Sequence, residues 1–410
     1  MSPAPPPSDG DEQPQWGAVR RRVLSGIVVG ATAGLAGCGS LGNTDTAAFH
    51  DGDWHSYGNG PENRNRVAAG APKPADVSRM VPTGWAYAPP AVHDDVVYFA
   101  AEKRVTASGL DGVEIWTERL DGEAFGIPAL DPDRGRLYVP MRGAGSTDVD
   151  PEPASVAAFA ITDGERLATY RVGDEATYGV SVVDGDVYAR SATTCVRFGP
   201  DGTERWRRSL DPLVYDEYNL GDSTATQIPP TVTDDAVYVP DRDALVKLDR
   251  ESGDDRWRVS VDTPYAAAVA DGRGVVQTAH QEVVAVDHAG EERWRRDLHS
   301  RAAAALAGDD IYVNASDVHE LDATSGETTW QAHIPSEGTA APVATDDTVI
   351  VAGSGVRAFR RAADGLFAPD RLRWEAESST ATPYASPVVA AGRLFAVGTF
   401  GLEVLTPKEP

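Results

Sequence analysis

The chain has 410 residues, 63 acidic and 37 basic, for a formal net charge of −26 at pH 7. So acidic a surface excludes a phosphate backbone as partner, DNA and RNA alike, and argues equally against docking on anionic lipid. Forty Gly and 29 Pro are more than long helices tolerate, while a hydrophobic fraction of 41% is enough for a core and excludes a chain disordered throughout.

Only Cys38 and Cys195 carry thiols, so neither a disulfide framework nor a Cys-based zinc site is expected. Of the 37 basic residues only Lys73, Lys103, Lys247 and Lys408 are Lys. Acidity with so little Lys resembles proteins of salt-loving archaea, whose carboxylates keep the surface hydrated while salt screens their repulsion.

Residues 1–19 are Pro-rich and polar, with no apolar period. Arg20-Arg21-Arg22-Val23-Leu24 follows, then an apolar run to Ala36 that is too short for a stable membrane span. The pattern is that of a secretory signal, and its Arg20-Arg21 pair resembles a twin-arginine signal. Leu35-Ala36-Gly37-Cys38 resembles a lipobox, in which Cys38 would be the lipidated first residue of the mature chain. These features predict a signal over 1–37, a flexible tether over 38–52 and a folded domain over 53–407, exported and lipid-anchored on the outer face of the cytoplasmic membrane.

From about residue 85 one pattern recurs: a short strand of small residues, an acidic or Gly turn, an apolar strand with an aromatic, a third strand ending in a Gly turn, and a fourth strand with Trp. The second-strand position recurs at Tyr98, Tyr138, Tyr188, Tyr238, Val276, Tyr312, Ile350 and Phe395, a spacing of about 42 residues that marks a β-propeller. The fourth-strand tryptophans are Trp116, Trp206, Trp257, Trp294, Trp330 and, late in its repeat, Trp374; none follows Gly164 in the second repeat. The expectation is an all-β, eight-bladed propeller of four-stranded antiparallel blades, with these tryptophans packed between blades. The last repeat stops at Leu405 without a fourth strand, so residues 76–82 are expected to close the ring on blade eight and remove its free edge.

The strings Val246-Lys247-Leu248-Asp249 to Trp257 and Glu320-Leu321-Asp322 to Trp330 resemble the repeat of pyrroloquinoline quinone (PQQ)-type propellers. Asp53-Trp54, Tyr57-Gly58 and Asn63-Arg64-Asn65 resemble the segment that opens such domains. The family holds quinoprotein dehydrogenases, which carry PQQ, calcium and a vicinal disulfide, and BamB-type envelope lipoproteins, which bind proteins without a cofactor. With no adjacent Cys pair and no long insertions, the chain is similar to the second kind. An archaeal cell lacks an outer membrane, so the assembly role does not simply transfer. The resemblance thus implies a non-catalytic surface scaffold that binds a protein, peptide or small ligand on the channel face, with no cofactor. A PQQ-binding oxidoreductase and a purely structural surface protein are the alternatives.

Candidate chemistry is sparse. Asp94-Asp95, Asp234-Asp235, Asp309-Asp310 and Asp346-Asp347 fall in one recurring turn, where Asp bonds its own backbone, and ring positions so spread cannot pool into a site. The eight His show no ligand spacing, no nucleophile elbow or phosphate loop occurs, and no metal site is expected. Cys195 reads as a small hydrophobe. Repeat-equivalent positions at the start of the first strands (Tyr87, Phe125, Tyr178, Gln227, Tyr265, Arg301, Thr339 and Tyr384) form the candidate binding ring, or wedge between blades. Two insertions lengthen loops: residues 141–154, and residues 211–226 with Tyr215 and Tyr218, the latter expected to overhang the same face.

Overall fold

The computed structural model describes residues 50–82, 88–143, 153–173, 176–213, 227–334, 338, 340–353, 355–361, 371–376, 384–398 and 401–407. The signal over 1–37, Cys38, and the positions Tyr87, Tyr215, Tyr218 and Thr339 lie outside the described residues. Among those described, eight antiparallel sheets follow one another as the blades of a propeller. Blade one sets the pattern with strands Ala91–His93, Val96–Ala101, Arg104–Gly109 and Glu114–Arg119, counted from the ring axis outward. Second strands such as Ala236–Asp241 are buried on both sides, because each is covered by a neighbouring blade on either face. That is why they read as continuous apolar runs rather than as alternation. Fourth strands are solvated except at the aromatic: in Glu114–Arg119 only Trp116 is buried. Blade two departs from the pattern, since Glu123–Ala124 pairs with the end of Arg136–Arg142 and makes it five-stranded.

The tryptophans join one blade to the next. Trp116 Nε1 donates to the Ile161 carbonyl at 3.0 Å, Trp206 to Arg250 at 3.0 Å, Trp257 to His288 at 3.1 Å and Trp294 to Ala323 at 3.0 Å. Each acceptor opens the Gly turn of the following blade, and that turn's Gly lies flat on the indole. A Cβ added to Gly164, Gly253, Gly290 or Gly326 would fall 2.5–2.9 Å from the ring atoms of Trp116, Trp206, Trp257 or Trp294. Tyr170 takes the missing tryptophan's place in blade two, beneath Gly202. Two second-strand tyrosines reach the residue that accepts from the tryptophan: Tyr188 OH accepts from Arg250 Nε at 2.9 Å and Tyr238 OH meets His288 Nδ1 at 2.9 Å, while Tyr312 OH accepts from Arg361 Nε of the next blade at 3.1 Å. Burial first, and Asp235 second, push the Tyr238 hydroxyl up to about 12, so it stays protonated across the physiological range.

Closure occurs where the sequence places it. Strand Pro74–Pro82 runs antiparallel to Gly401–Pro407, with Val77 opposite Leu405 and Ser78 opposite Val404, and supplies the outer strand of blade eight. It begins two residues earlier than expected. The folded part also begins earlier than residue 53: the Gly392 and Ala391 amides of blade eight donate to the His50 and Gly52 carbonyls at 2.8 and 2.9 Å.

The Trp–Gly contact makes a direct prediction. Gly326 has φ +72°, and its Cβ position lies 2.5 Å from Trp294 Cδ2. Gly326→Ala should destabilise the ring by about 2–4 kcal/mol, from left-handed strain plus overpacking. Gly272→Ala, with nothing within 4 Å of its Cβ position, should stay within about 0.5 kcal/mol. Denaturant midpoints of the two variants measure the difference.

Candidate functional site

Every innermost strand runs the same way, so the two faces of the ring differ in kind. The upper face carries the starts of the first strands and both insertion loops' flanks. The lower face carries the Asp turns. Across that lower face residues 50–71 make one circuit of the ring axis. Trp54 and Val92 of blade one exchange backbone hydrogen bonds at 2.9 and 2.8 Å. The His55 carbonyl accepts from Leu130 in blade two, Pro61 from Val232 in blade four, Glu62 from Ala270 in blade five, Arg64 from Leu306 in blade six and Asn65 from Ala344 in blade seven, all at 2.8–3.0 Å. Ala71 O then accepts from Trp374 Nε1 at 2.8 Å, taking the part a Gly turn plays elsewhere.

Local sequence explains how the segment bends. Asn59, Asn63 and Asn65 adopt positive φ, which Asn tolerates better than other side-chain-bearing residues. Gly58 cannot be replaced, because a Cβ there would meet the Asn63 backbone at 2.4 Å. Asn63 Nδ2 donates to Thr231 Oγ1 at 2.9 Å and Asn65 Nδ2 to the Ala304 carbonyl at 2.9 Å, both fully buried. Tyr57 is buried in a single apolar cluster with Ala88, Ile127, Ala266, Ala267, Ala303, Ala304 and Ala341, residues drawn from five blades. The ring centre is therefore packed.

The upper face does not present one uniform ring. Phe125 and Tyr178, from adjacent blades, come together with ring centroids 5.7 Å apart, and the Arg142 guanidinium lies 4.4 Å from the Phe125 centroid. All three are half-buried. Gln227 is buried and its Oε1 accepts from the Ile127 amide at 2.7 Å, which ties blade four to blade two. Tyr265 is 1% exposed. Its hydroxyl lies 3.2 Å from His280 Nδ1, and the His280 and His299 rings stand edge-on to one another at 5.1 Å. The Tyr265 hydroxyl therefore meets a residue of its own blade. Burial, then His299, holds His280 below the ordinary His value. Arg301 and Tyr384 are half-buried on their own blades. Equivalence by repeat thus fixes where these residues lie but not what they face.

The Asp turns pair with cations rather than with each other. Arg250 reaches Asp184 at 2.9 Å, Arg361 reaches Asp310 at 3.1 Å and Lys247 reaches Asp235 at 3.4 Å. One cluster was not legible in the sequence: Asp53, His55 and His93 meet on the lower face, where Asp53 Oδ2 lies 2.7 Å from His93 Nδ1 and 3.1 Å from His55 Nε2. Burial pushes the Asp53 carboxyl up, but hydrogen bonds from His93, the Asp94 amide and His55 outweigh it and hold it below the usual carboxylate value. The only sequence signal is that Asp53 and His55, two apart in an extended segment, share a side. His93, some 40 residues on, joins them through the circuit.

Geometry of this kind defines a closed β-propeller with a self-plugged centre, and similarity to known proteins narrows the class. Residues 183–399, more than half of the chain, match the family described as outer membrane protein assembly factor BamB, and the chain belongs to that family. It is 29% identical over 121 residues to a BamB from Nitrosomonas eutropha, a match spanning 28% of this chain and 30% of that one. The structure of BamB from Moraxella catarrhalis superposes with a TM-score of 0.62 at 14% identity, covering 82% of this chain and 99% of that one. Quinohemoprotein alcohol dehydrogenase from Comamonas testosteroni superposes with a TM-score of 0.67 at 13% identity, covering 87% and 81%. At such identities these structures share the fold.

Cys195 sits buried in blade three, where burial pushes its thiol up to about 12. In a Cys38→Ser chain this thiol should react with a thiol reagent no faster than the ring opens, and at full rate in denaturant. Rapid labelling under native conditions would show that blade three is open in solution.

Proposed function

We propose that the chain is a non-catalytic, protein-binding scaffold, exported and tethered through a lipid on Cys38, that docks its partner on the upper face. The observation that carries this reading is the asymmetry of the ring: the lower face is covered by the chain's own residues 50–71, while the upper face offers the Phe125–Tyr178–Arg142 cluster, in which Arg142 opens the first insertion and Tyr178 bonds Ile228 just after the second. Aromatic and Arg side chains dominate binding hot spots, because they bury much area at little entropic cost. Membership of the BamB family and the lipobox-like Leu35-Ala36-Gly37-Cys38 support the same reading. So does the acidic, Lys-poor surface, which suits an exported protein in concentrated salt.

A bound quinone is the rival. Packing at the ring centre speaks against it, since Tyr57 and the small side chains of five blades fill one buried apolar cluster there. A planar, multiply charged quinone needs an open slot with basic partners. The residues present do not fit it.

Affinity capture from native membranes in high salt tests the proposal. The Phe125→Ala/Tyr178→Ala chain should lose its specific partners by at least about tenfold, as expected when hot-spot aromatics are truncated. An unchanged partner set would sink the upper-face assignment, and stoichiometric uptake of PQQ with calcium by calorimetry would overturn the non-catalytic reading.

A further inference from the structure

We propose that Asp53, His55 and His93 form a binding site for a divalent transition-metal ion of the zinc type, which clamps the start of the N-terminal circuit onto blade one. The three donor atoms form a compact triangle: 2.7 Å from Asp53 Oδ2 to His93 Nδ1, 3.1 Å from Asp53 Oδ2 to His55 Nε2 and 3.3 Å between the two nitrogens. A zinc ion about 2.0–2.1 Å from each donor holds tetrahedral ligands about 3.3 Å apart. The triangle is therefore close to one face of such a tetrahedron, with the two carboxylate edges shorter by about 0.2 and about 0.6 Å. There Asp53 now accepts imidazole N–H groups that a metal would replace.

The donors are held in place by backbone, not by chance contact of long side chains. The exchanged bonds between Trp54 and Val92 place Asp53 and His55 on either side of one fixed residue and His93 next to its partner. The Leu130 amide, donating to the His55 carbonyl at 2.8 Å, fixes the third corner. Pre-organisation of this kind is what a metal site requires.

An outer shell is present as well. His93 Nε2 lies 3.6 Å from Asp94 Oδ2, so coordination through Nδ1 leaves the remaining N–H facing a carboxylate. Asp53 Oδ1 accepts from the Asp94 amide at 3.1 Å, which orients its other oxygen toward the imidazoles. Carboxylates behind ligating histidines set the tautomer and raise ligand basicity. Side-chain exposures of 40% for His55, 35% for Asp53 and 18% for His93 leave an open side for the ion to enter and for water to complete four-fold coordination. Two imidazoles and a single carboxylate favour zinc, cobalt, nickel or copper over calcium or magnesium, which take oxygen donors.

The site would tie residues from opposite ends of a 38-residue span of sequence, His55 to His93, in which the closing strand Pro74–Pro82 lies. Metal binding would thus stabilise the circuit that fills the ring centre.

The test titrates the metal-free full chain with ZnCl2 in high salt containing excess calcium, which occupies non-specific surface carboxylates. Calorimetry should show one saturable site, and the Tm should rise with zinc concentration, as mass action demands of a ligand that binds the folded state. Hydrogen exchange at the Trp54 and Val92 amides should slow. His93→Ala and, as the gentler change, His55→Gln should each weaken zinc by at least about tenfold, while His333→Gln, outside the cluster, should not. No saturable site up to millimolar zinc, or equal affinity in the cluster variants, would overturn the proposal. If a variant fails to fold, Co2+ bound to the unaltered chain decides: intense visible bands of a tetrahedral, nitrogen-ligated ion support the site, and the weak spectrum of the hexa-aquo ion refutes it.

Discussion

One contact repeated around the ring carries the rest of the structure: an indole from the outer strand of one blade, covered by a glycine and hydrogen-bonded to a carbonyl of the next. It has three parts that must coincide. The indole supplies apolar area, its N–H finds an acceptor that would otherwise lie buried and unpaired, and the glycine removes the one atom that would hold the blades apart. Because the acceptor residue also receives the second-strand tyrosine of the preceding blade, as at Arg250 and His288, a single turn reads both the outer and the middle strands of its neighbour. The angle between blades is thereby fixed at two radii.

A ring built of such contacts has one seam, and the N-terminal segment deals with it twice. Strand Pro74–Pro82 completes the sheet of blade eight, and Ala71 just before it accepts from Trp374. Both interactions tie the two ends of the domain together and remove the unpaired strand edge on which other chains could grow. The same segment then fills the centre. Tyr57, Asn63 and Asn65 occupy that space, with the asparagine amides bonding first-strand positions in blades four to six.

This filling gives the molecule its polarity. A propeller with an open channel offers either face and the axis itself to ligands. Here the lower face is spent on self-recognition, and the acidic turns along it are engaged with Arg of the adjacent blade, at Asp184 and Asp310, or with Lys of their own blade, at Asp235. The acidity of the chain and the construction of the ring therefore draw in part on the same side chains. The upper face, where the innermost strands begin and the inserted loops start and end, is the side that residues 50–71 do not bond.

The sequence by itself determined the repeat, the blade count, the closing strand and the packing role of the tryptophans. All of these follow from short-range patterns: strand alternation, turn chemistry and a regular spacing. Blade two shows the limit of that legibility. Nothing local says that Tyr170 would take the tryptophan's place beneath Gly202. Gln227, Tyr265 and Phe125 stand at equivalent repeat positions, yet one bonds a backbone amide, one is fully buried and one packs against an aromatic of the next blade. Their surroundings come from adjacent blades and loops that do not repeat. The meeting of Asp53, His55 and His93 likewise exists only because residues 50–71 circle the axis, and that path is set by hydrogen bonds to seven blades rather than by any motif of its own. Periodicity is a property of the chain, whereas contact across the ring axis is a property of its closure.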